Sequence, residues 1–130
     1  METSDPRVEA LLGLLGAFEV LDFHRIGAMV AEDAVFEFPY GGHAPVEGRG
    51  AIVDFLTSRM ASFVSEMKFT LKGIYPAEDP ELVFAEYTSV GTLTAGGTYG
   101  NVYIAMLRLR DGRIRHFKEF YNPAAIAQTR

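Results

Sequence analysis

Apolar residues recur at helical spacing in the first part of the chain and give way later to the alternation of strands. Val8, Leu11, Leu12, Leu15 and Phe18 lie three or four apart, which predicts a first helix with Ser4 or Asp5 as N-cap and Pro6 in its first turn. Asp22 caps a second, short helix running through Ala31, with Ile26, Met29 and Val30 on its apolar side and Gly27 as a weak point. The period then changes. Ala34 to Phe38 reads as a strand ended by Pro39, and Tyr40 to Pro45 reads as a loop marked by glycine and proline. From Gly50 to about Val64, the residues Ile52, Phe55, Leu56, Met60 and Phe63 restore the helical period. Strands follow over Lys68–Tyr75, Leu82–Leu93, Tyr99–Arg110 and Arg113–Tyr121, parted by turns at Glu78–Pro80, Ala95–Gly97 and Asp111-Gly112. Helices first and a strand meander afterwards predict an α+β domain, not an alternating parallel-sheet one. No repeat or low-complexity linker divides the chain, so residues 1–130 are expected to form one domain.

Strand parity sorts the later residues onto two faces. In the last strand Phe117, Glu119 and Tyr121 share one face, placing a carboxyl between two aromatic rings, while Ile114, His116, Lys118 and Phe120 share the other. In the strand before it, Tyr99, Asn101, Tyr103, Ala105 and Leu107 alternate with Val102, Ile104 and Met106. A concave face bearing Asn and two Tyr suits a ligand better than it suits packing alone. The opposite hydrophobes, Ile104, Met106 and Ile114, fit a sheet face covered by a second subunit, which predicts a homodimer. Arg108, Arg110, Arg113 and Arg115 around the Asp111-Gly112 turn read as a solvated outer face or dimer rim.

Composition narrows the function classes. Hydrophobic residues make up 48% of 130, enough for one core. Lys and Arg number 12 against 17 Asp and Glu, a net charge of −5, so no basic stripe remains for nucleic acid or an anionic membrane. Without cysteine there is no disulfide framework, thiolate nucleophile or thiolate metal site, and no histidines and carboxylates have metal-ligand spacing. No metal and no cofactor are therefore expected. Met1 to Val8 carries Glu2, Asp5 and Arg7 ahead of any apolar run, unlike a secretory signal, and the apolar stretch Ala10–Leu21 is too short to span a bilayer. A cytoplasmic protein is expected.

The segments Asn101-Val-Tyr103, Leu107 to Ile114 and Glu119-Phe-Tyr-Asn122-Pro123 resemble the C-terminal signature of the SnoaL-like branch of the nuclear transport factor 2-like superfamily. Asp33 to Pro39 and Val46 to Ile52 are similar to the same family's first strand and the start of its third helix. The resemblance implies a cone-shaped roll, with three N-terminal helices packed on a strongly curved, mostly antiparallel sheet as in ketosteroid isomerase. Pro76 to Gly91 and Lys118 to Asn122 look most like the phenazine-biosynthesis A/B proteins, small dimers acting on a carboxylated cyclohexane-derived intermediate. In ketosteroid isomerase a first-helix tyrosine and a late-strand aspartic acid form the oxyanion hole and an aspartate ending the first strand moves the proton. The matching positions here are Leu14, Ala105 and Phe38, so that route is absent, and the SnoaL-type cyclases' late-strand aspartate near Ala105 is absent too. The Asp-Arg-Asp set of limonene epoxide hydrolase also finds no match, because Asp5, Asp22, Asp33, Asp54, Asp79 and Asp111 fall on helices, caps or turns. One group survives: Glu119 matches the inward glutamate implied as general acid in the phenazine A/B proteins, whose assisting histidine corresponds here to Phe55.

Glu119 is thus the candidate catalytic residue, partly desolvated between Phe117 and Tyr121. Its alternative role is a structural carboxylate accepting hydrogen bonds from Tyr103 or Asn101. Candidate ligand-binding residues are Asn101, Tyr103, Tyr121, Phe117, Phe38, Tyr40, His43, Phe55 and Leu14, with Tyr40 and His43 on the loop that borders the cone's mouth in this fold. Glu37 is expected to face outward, and parity leaves the direction of Glu86 open. The expected partner is a small apolar or carboxylated cyclic ligand. Acid/base isomerisation, cyclisation or condensation in secondary metabolism leads, against a non-catalytic ligand-binding protein or a dimeric assembly module.

Overall fold

The structure, a computed structural model, describes residues 5–127. Helix α1 (Pro6–Glu19) begins where Asp5 accepts a hydrogen bond from the Arg7 amide at 2.9 Å, with Pro6 at the first position. A cap of this kind contributes about 1 kcal/mol. The alternative cap, Ser4, lies outside the described residues. Helix α2 (Phe23–Met29) is capped by Asp22, which accepts from the Arg25 amide at 3.0 Å. It stops short of the predicted Ala31 because Val30 already begins strand β1 (Val30–Glu37), pairing with Ile114 and burying its branched side chain. Tertiary pairing here overrides a helical pattern that has only two turns to support it.

A short strand β2 (Val46–Glu47), between the expected loop Tyr40–Pro45 and the third helix, pairs with β1, and α3 (Arg49–Met60) follows. Next come β3 (Val64–Pro76), β4 (Leu82–Leu93), β5 (Thr98–Arg110), β6 (Arg113–Tyr121) and a final turn of helix, α4 (Pro123–Ala127). Helix α3 ends before the expected Val64, whose buried side chain belongs to β3 opposite Leu93. The sheet order is β2-β1-β6-β5-β4-β3; only β1 and β6 run parallel. This is the expected α+β roll. Bulges in β3 between Val64 and Glu66 and between Leu71 and Gly73 add local twist and help bend the sheet.

Into the hollow of that sheet α1 sends Leu11, Leu14, Leu15 and Phe18, α2 sends Phe23 and Ile26, and α3 sends Ile52 and Leu56. Phe36, Leu107, Ile114 and Phe117 meet them from the strands. Ile114 corrects the parity reading. The register shifts between Arg108 and Leu109, so Arg108 opposes His116 while Leu109 opposes Ile114. That bulge turns Ile114 into the core, whereas His116 and Lys118 stay on the outer face beside Glu37. The arginines around the turn are engaged: Arg108 with Asp79, Arg110 and Arg115 with Asp33, and Arg113 with the Ala28 carbonyl.

Leu14 lies wholly in this core. Leu14→Ala is expected to lower unfolding free energy by about 3 kcal/mol through lost burial and a residual cavity. Urea unfolding followed by circular dichroism measures it.

Candidate functional site

Three cross-strand rows build the floor of a cavity between the sheet and the helices. Register pairs Tyr87 with Tyr103 and Tyr103 with Tyr121; Ala85 with Ala105 and Ala105 with Glu119; Val83 with Leu107 and Leu107 with Phe117. The middle row matters most. Two alanines beside Glu119 leave room above its neighbours, while the tyrosine row supplies hydroxyl groups on one side and the hydrophobic row closes the other. Glu119 also stands directly across from Ala105, so this chain carries its carboxyl on the strand adjacent to the place where the family resemblance sets an aspartate.

Glu119 is buried, and its Oε2 accepts a hydrogen bond from the Tyr87 hydroxyl. Loss of water dominates its electrostatics and raises its pKa from 4.5 to about 7, although the Tyr87 bond acts in the opposite direction by favouring the ionised form. The same burial pushes the Tyr87 and Tyr103 hydroxyls well above the usual tyrosine range, with the negative charge of Glu119 adding to it. Neither Tyr103 nor Asn101 is the partner of the carboxylate. Tyr103 shares a 2.7 Å hydrogen bond with Ser89, and its ring stacks on Tyr87 at 4.9 Å.

Asn101 fixes a direction in the adjoining hydroxyls. Its Oδ1 accepts from the Val102 and Asn122 amides at 2.8 and 2.9 Å, so its Nδ2 must be the group that donates to the Tyr99 hydroxyl and the Asn122 carbonyl. Tyr99 therefore accepts from Asn101 and keeps its own proton to donate elsewhere.

The cavity holds about 350 Å³. Among the expected residues, Phe38, His43, Phe55, Tyr103, Tyr121 and Glu119 line it together. Phe38 and Phe55 stack at 5.8 Å, and the His43 ring lies 4.8 Å from Phe55. The Ala44 carbonyl, 2.9 Å from His43 Nδ1, can only accept; in the neutral ring the proton therefore sits on Nδ1 and Nε2 is an acceptor. Four expected residues lie elsewhere. Leu14 and Phe117 are fully buried in the core, Phe117 within 5.1 Å of Phe36, because the helix and sheet pack directly there. Asn101 is buried and its amide is fully engaged, behind Tyr99. Tyr40 is exposed and packs edge-on against Phe120 on the outer face at 5.9 Å. Glu37 faces outward as expected, bonded to His116 and 3.7 Å from Lys118. Glu86, left undecided by parity, is exposed beside Tyr75.

Sequence reasoning missed Tyr87, the group that holds Glu119. A signal was present: the Ala95–Gly97 turn makes a hairpin, and reflecting Tyr99, Asn101 and Tyr103 through it lands on Gly91, Ser89 and Tyr87. It also missed Arg59 and Phe63 on the cavity wall, which helical spacing alone does not distinguish from solvent-facing and core positions. Among the described residues no three His, Asp or Glu side chains converge as metal ligands, and no helix is long and apolar enough to cross a membrane.

Residues 11–117 match the SnoaL-like domain family. An uncharacterised PhzA/B-like protein of Pseudomonas aeruginosa is 35% identical over 95 residues, which cover 70% of this chain and 66% of that one. A crystal structure of a Bacillus subtilis protein provisionally assigned as an isomerase superposes with a TM-score of 0.85 at 28% identity, over 98% of this chain and 94% of its own. A Mycobacterium tuberculosis protein in complex with estradiol-17β-hemisuccinate superposes with a TM-score of 0.81, covering 94% of this chain and 98% of that one; at 16% identity this is a likeness of fold.

Glu119 makes stability depend on pH. Its carboxyl holds a proton more tightly folded than unfolded, so the associated stability is full below pH 4.5 and is lost as pH rises to about 7. The loss amounts to about 3 kcal/mol for this fully buried group. Glu119→Gln is expected to abolish that slope and to be the more stable variant above neutrality; urea titrations at several pH values compare the two. Tyr87→Phe removes the bond favouring ionisation and is expected to raise the Glu119 pKa further, read from the carboxyl ¹³C shift by NMR.

Proposed function

The chain belongs to the SnoaL-like domain family, and from that premise we propose that it binds a small, largely apolar cyclic ligand and performs acid/base chemistry on it, with Glu119 as proton donor. The reaction class is isomerisation, cyclisation or condensation in secondary metabolism, in the cytoplasm. One observation carries the reading: an enclosed carboxyl with a pKa of about 7 opens onto an aromatic-lined cavity and has no cation beside it among the described residues. A group poised near the ambient pH both holds a proton to give and can take one back. The ligand complexes of fold relatives support the use of this hollow for a small molecule.

Binding geometry follows from the walls. Phe38, Phe55 and Phe63 present ring faces and edges to a flat ligand, which brings an acceptor on that ligand toward Glu119 and Tyr103. Closing the ligand over these groups removes water and strengthens each hydrogen bond made there. Tyr87 serves as the positioning residue, holding one carboxyl oxygen so that the other faces the reacting atom.

The proposed assembly is a homodimer through the outer sheet face. Phe84, Val102, Ile104 and Phe120 are exposed there, and Ile104 is flanked by Glu86 and Phe120 across the ladder. Four large hydrophobes on one open antiparallel face favour a cover.

Native mass spectrometry with ligand extraction is expected to find an organic molecule bound to the wild type and altered in occupancy or chemical state in Glu119→Gln. A bound molecule identical in both variants would make the protein a carrier rather than an enzyme. Sedimentation is expected to give a dimer, with Ile104→Glu shifting it to monomer; a monomeric wild type overturns the assembly.

A further inference from the structure

Arg59 is, among the described residues, the one lysine or arginine lining the cavity. It lies in the last turn of α3 and is exposed, whereas Glu119, which lines the same hollow, is enclosed. Its guanidinium sits 5.2 Å over the Phe55 ring, a cation–π contact that holds it against the wall instead of leaving it to sweep through solvent. Most arginines of this chain are already used. Arg7, Arg108, Arg110 and Arg115 each meet an aspartate, while Arg49 and Arg113 donate to backbone carbonyls. Arg59 has no carboxylate or carbonyl partner among the described residues, and the last turn of its helix is served instead by Ser62, whose hydroxyl donates to the Ser58 and Arg59 carbonyls.

The charge is not directed at the catalytic candidate. Arg59 acts electrostatically on the Tyr121 hydroxyl, while Glu119 is governed by burial and Tyr87. A guanidinium stacked on a ring keeps its N–H edge free, and that edge matches the two oxygens of a carboxylate. In a chain of net charge −5 this cation stands at the solvent end of an apolar, aromatic-walled space.

We infer that the ligand is an amphipathic carboxylate: Arg59 receives its anionic group at the mouth, and its ring system lies along Phe55 and Phe38 with the reactive end toward Glu119. The inference rests on the cavity being the ligand site, and it narrows the ligand class from neutral or carboxylated to carboxylated. Arg59 orders the ligand end to end. A neutral ring compound has no preferred direction in such a hollow, whereas a tethered carboxylate presents its far end to the proton donor.

Isothermal titration with 2-naphthoate and its neutral analogue 2-naphthamide, at about pH 6 where Glu119 is mostly protonated and naphthoate is ionised, tests this on the full chain. Wild type is expected to bind naphthoate about fivefold or more tightly than naphthamide, an advantage that shrinks with added salt. Arg59→Gln is expected to erase the advantage while naphthamide binding stays within about twofold, and Arg59→Lys to restore part of it as a point charge. Equal affinities in the wild type, or an Arg59→Gln loss shared equally by both compounds, overturn the anchor while leaving the cavity as a ligand site. If the wild type binds neither compound, the cavity reading falls and the anchor with it.

Discussion

The pleat of β5 sends Tyr99, Asn101, Tyr103, Ala105 and Leu107 under the helices, and the ladders on both sides carry that parity into β4 and β6. A one-residue slip in either ladder would turn Tyr87 or Glu119 out to solvent and bring Glu86 or Lys118 inward. Nothing else in the site has its present meaning without this register. The alanine row gives Glu119 its space, the tyrosine row gives it a donor, and the phenylalanine and leucine of the third row bind the floor to the core.

An enclosed carboxyl with no adjacent cation among the described residues has a predictable character. Water is a better solvent for its charge than the surrounding rings and aliphatic groups, so the neutral acid is favoured until the pH approaches about 7. The single hydrogen bond from Tyr87 holds the group in place without cancelling that effect. The arrangement carries a cost in stability: burying Glu119 weakens the fold as it ionises, and the same burial keeps its proton in place until the pH nears 7. The outer face of the sheet is built on a different principle. Glu37 is bonded there to His116 and lies near Lys118 at the surface, next to the exposed Phe84, Val102 and Ile104.

Much of the fold was legible because its signals are local. Asp5 and Asp22 cap the helices they were expected to cap, the Leu82–Leu93 and Arg113–Tyr121 strands have the expected bounds, and Glu119 faces inward with Tyr103 and Tyr121 near it. The errors arose where distant residues decide. Val30 left its helix to pair with Ile114, a bulge reversed Ile114 itself, and the short β2 formed because β1 offered it an edge. Tyr40 went to the outer face for the company of Phe120, a residue eighty positions away. None of these contacts has a periodicity or spacing that the sequence displays.

The sequence by itself determined the order of helices and strands, the absence of thiol chemistry and of a basic binding stripe, and the presence of one carboxyl between aromatic rings on an inward face. Those properties follow from composition and from side-chain parity, which each segment carries alone. Only the tertiary structure decided that Tyr87 bonds Glu119, that Leu14, Phe117 and Asn101 support the site from behind, and that Arg59 lies over Phe55 on the cavity wall. The reason is physical. A hydrogen bond, a desolvated carboxyl and a cation over a ring are relations fixed in space, and they exist only after register, bulge and packing have brought the elements together.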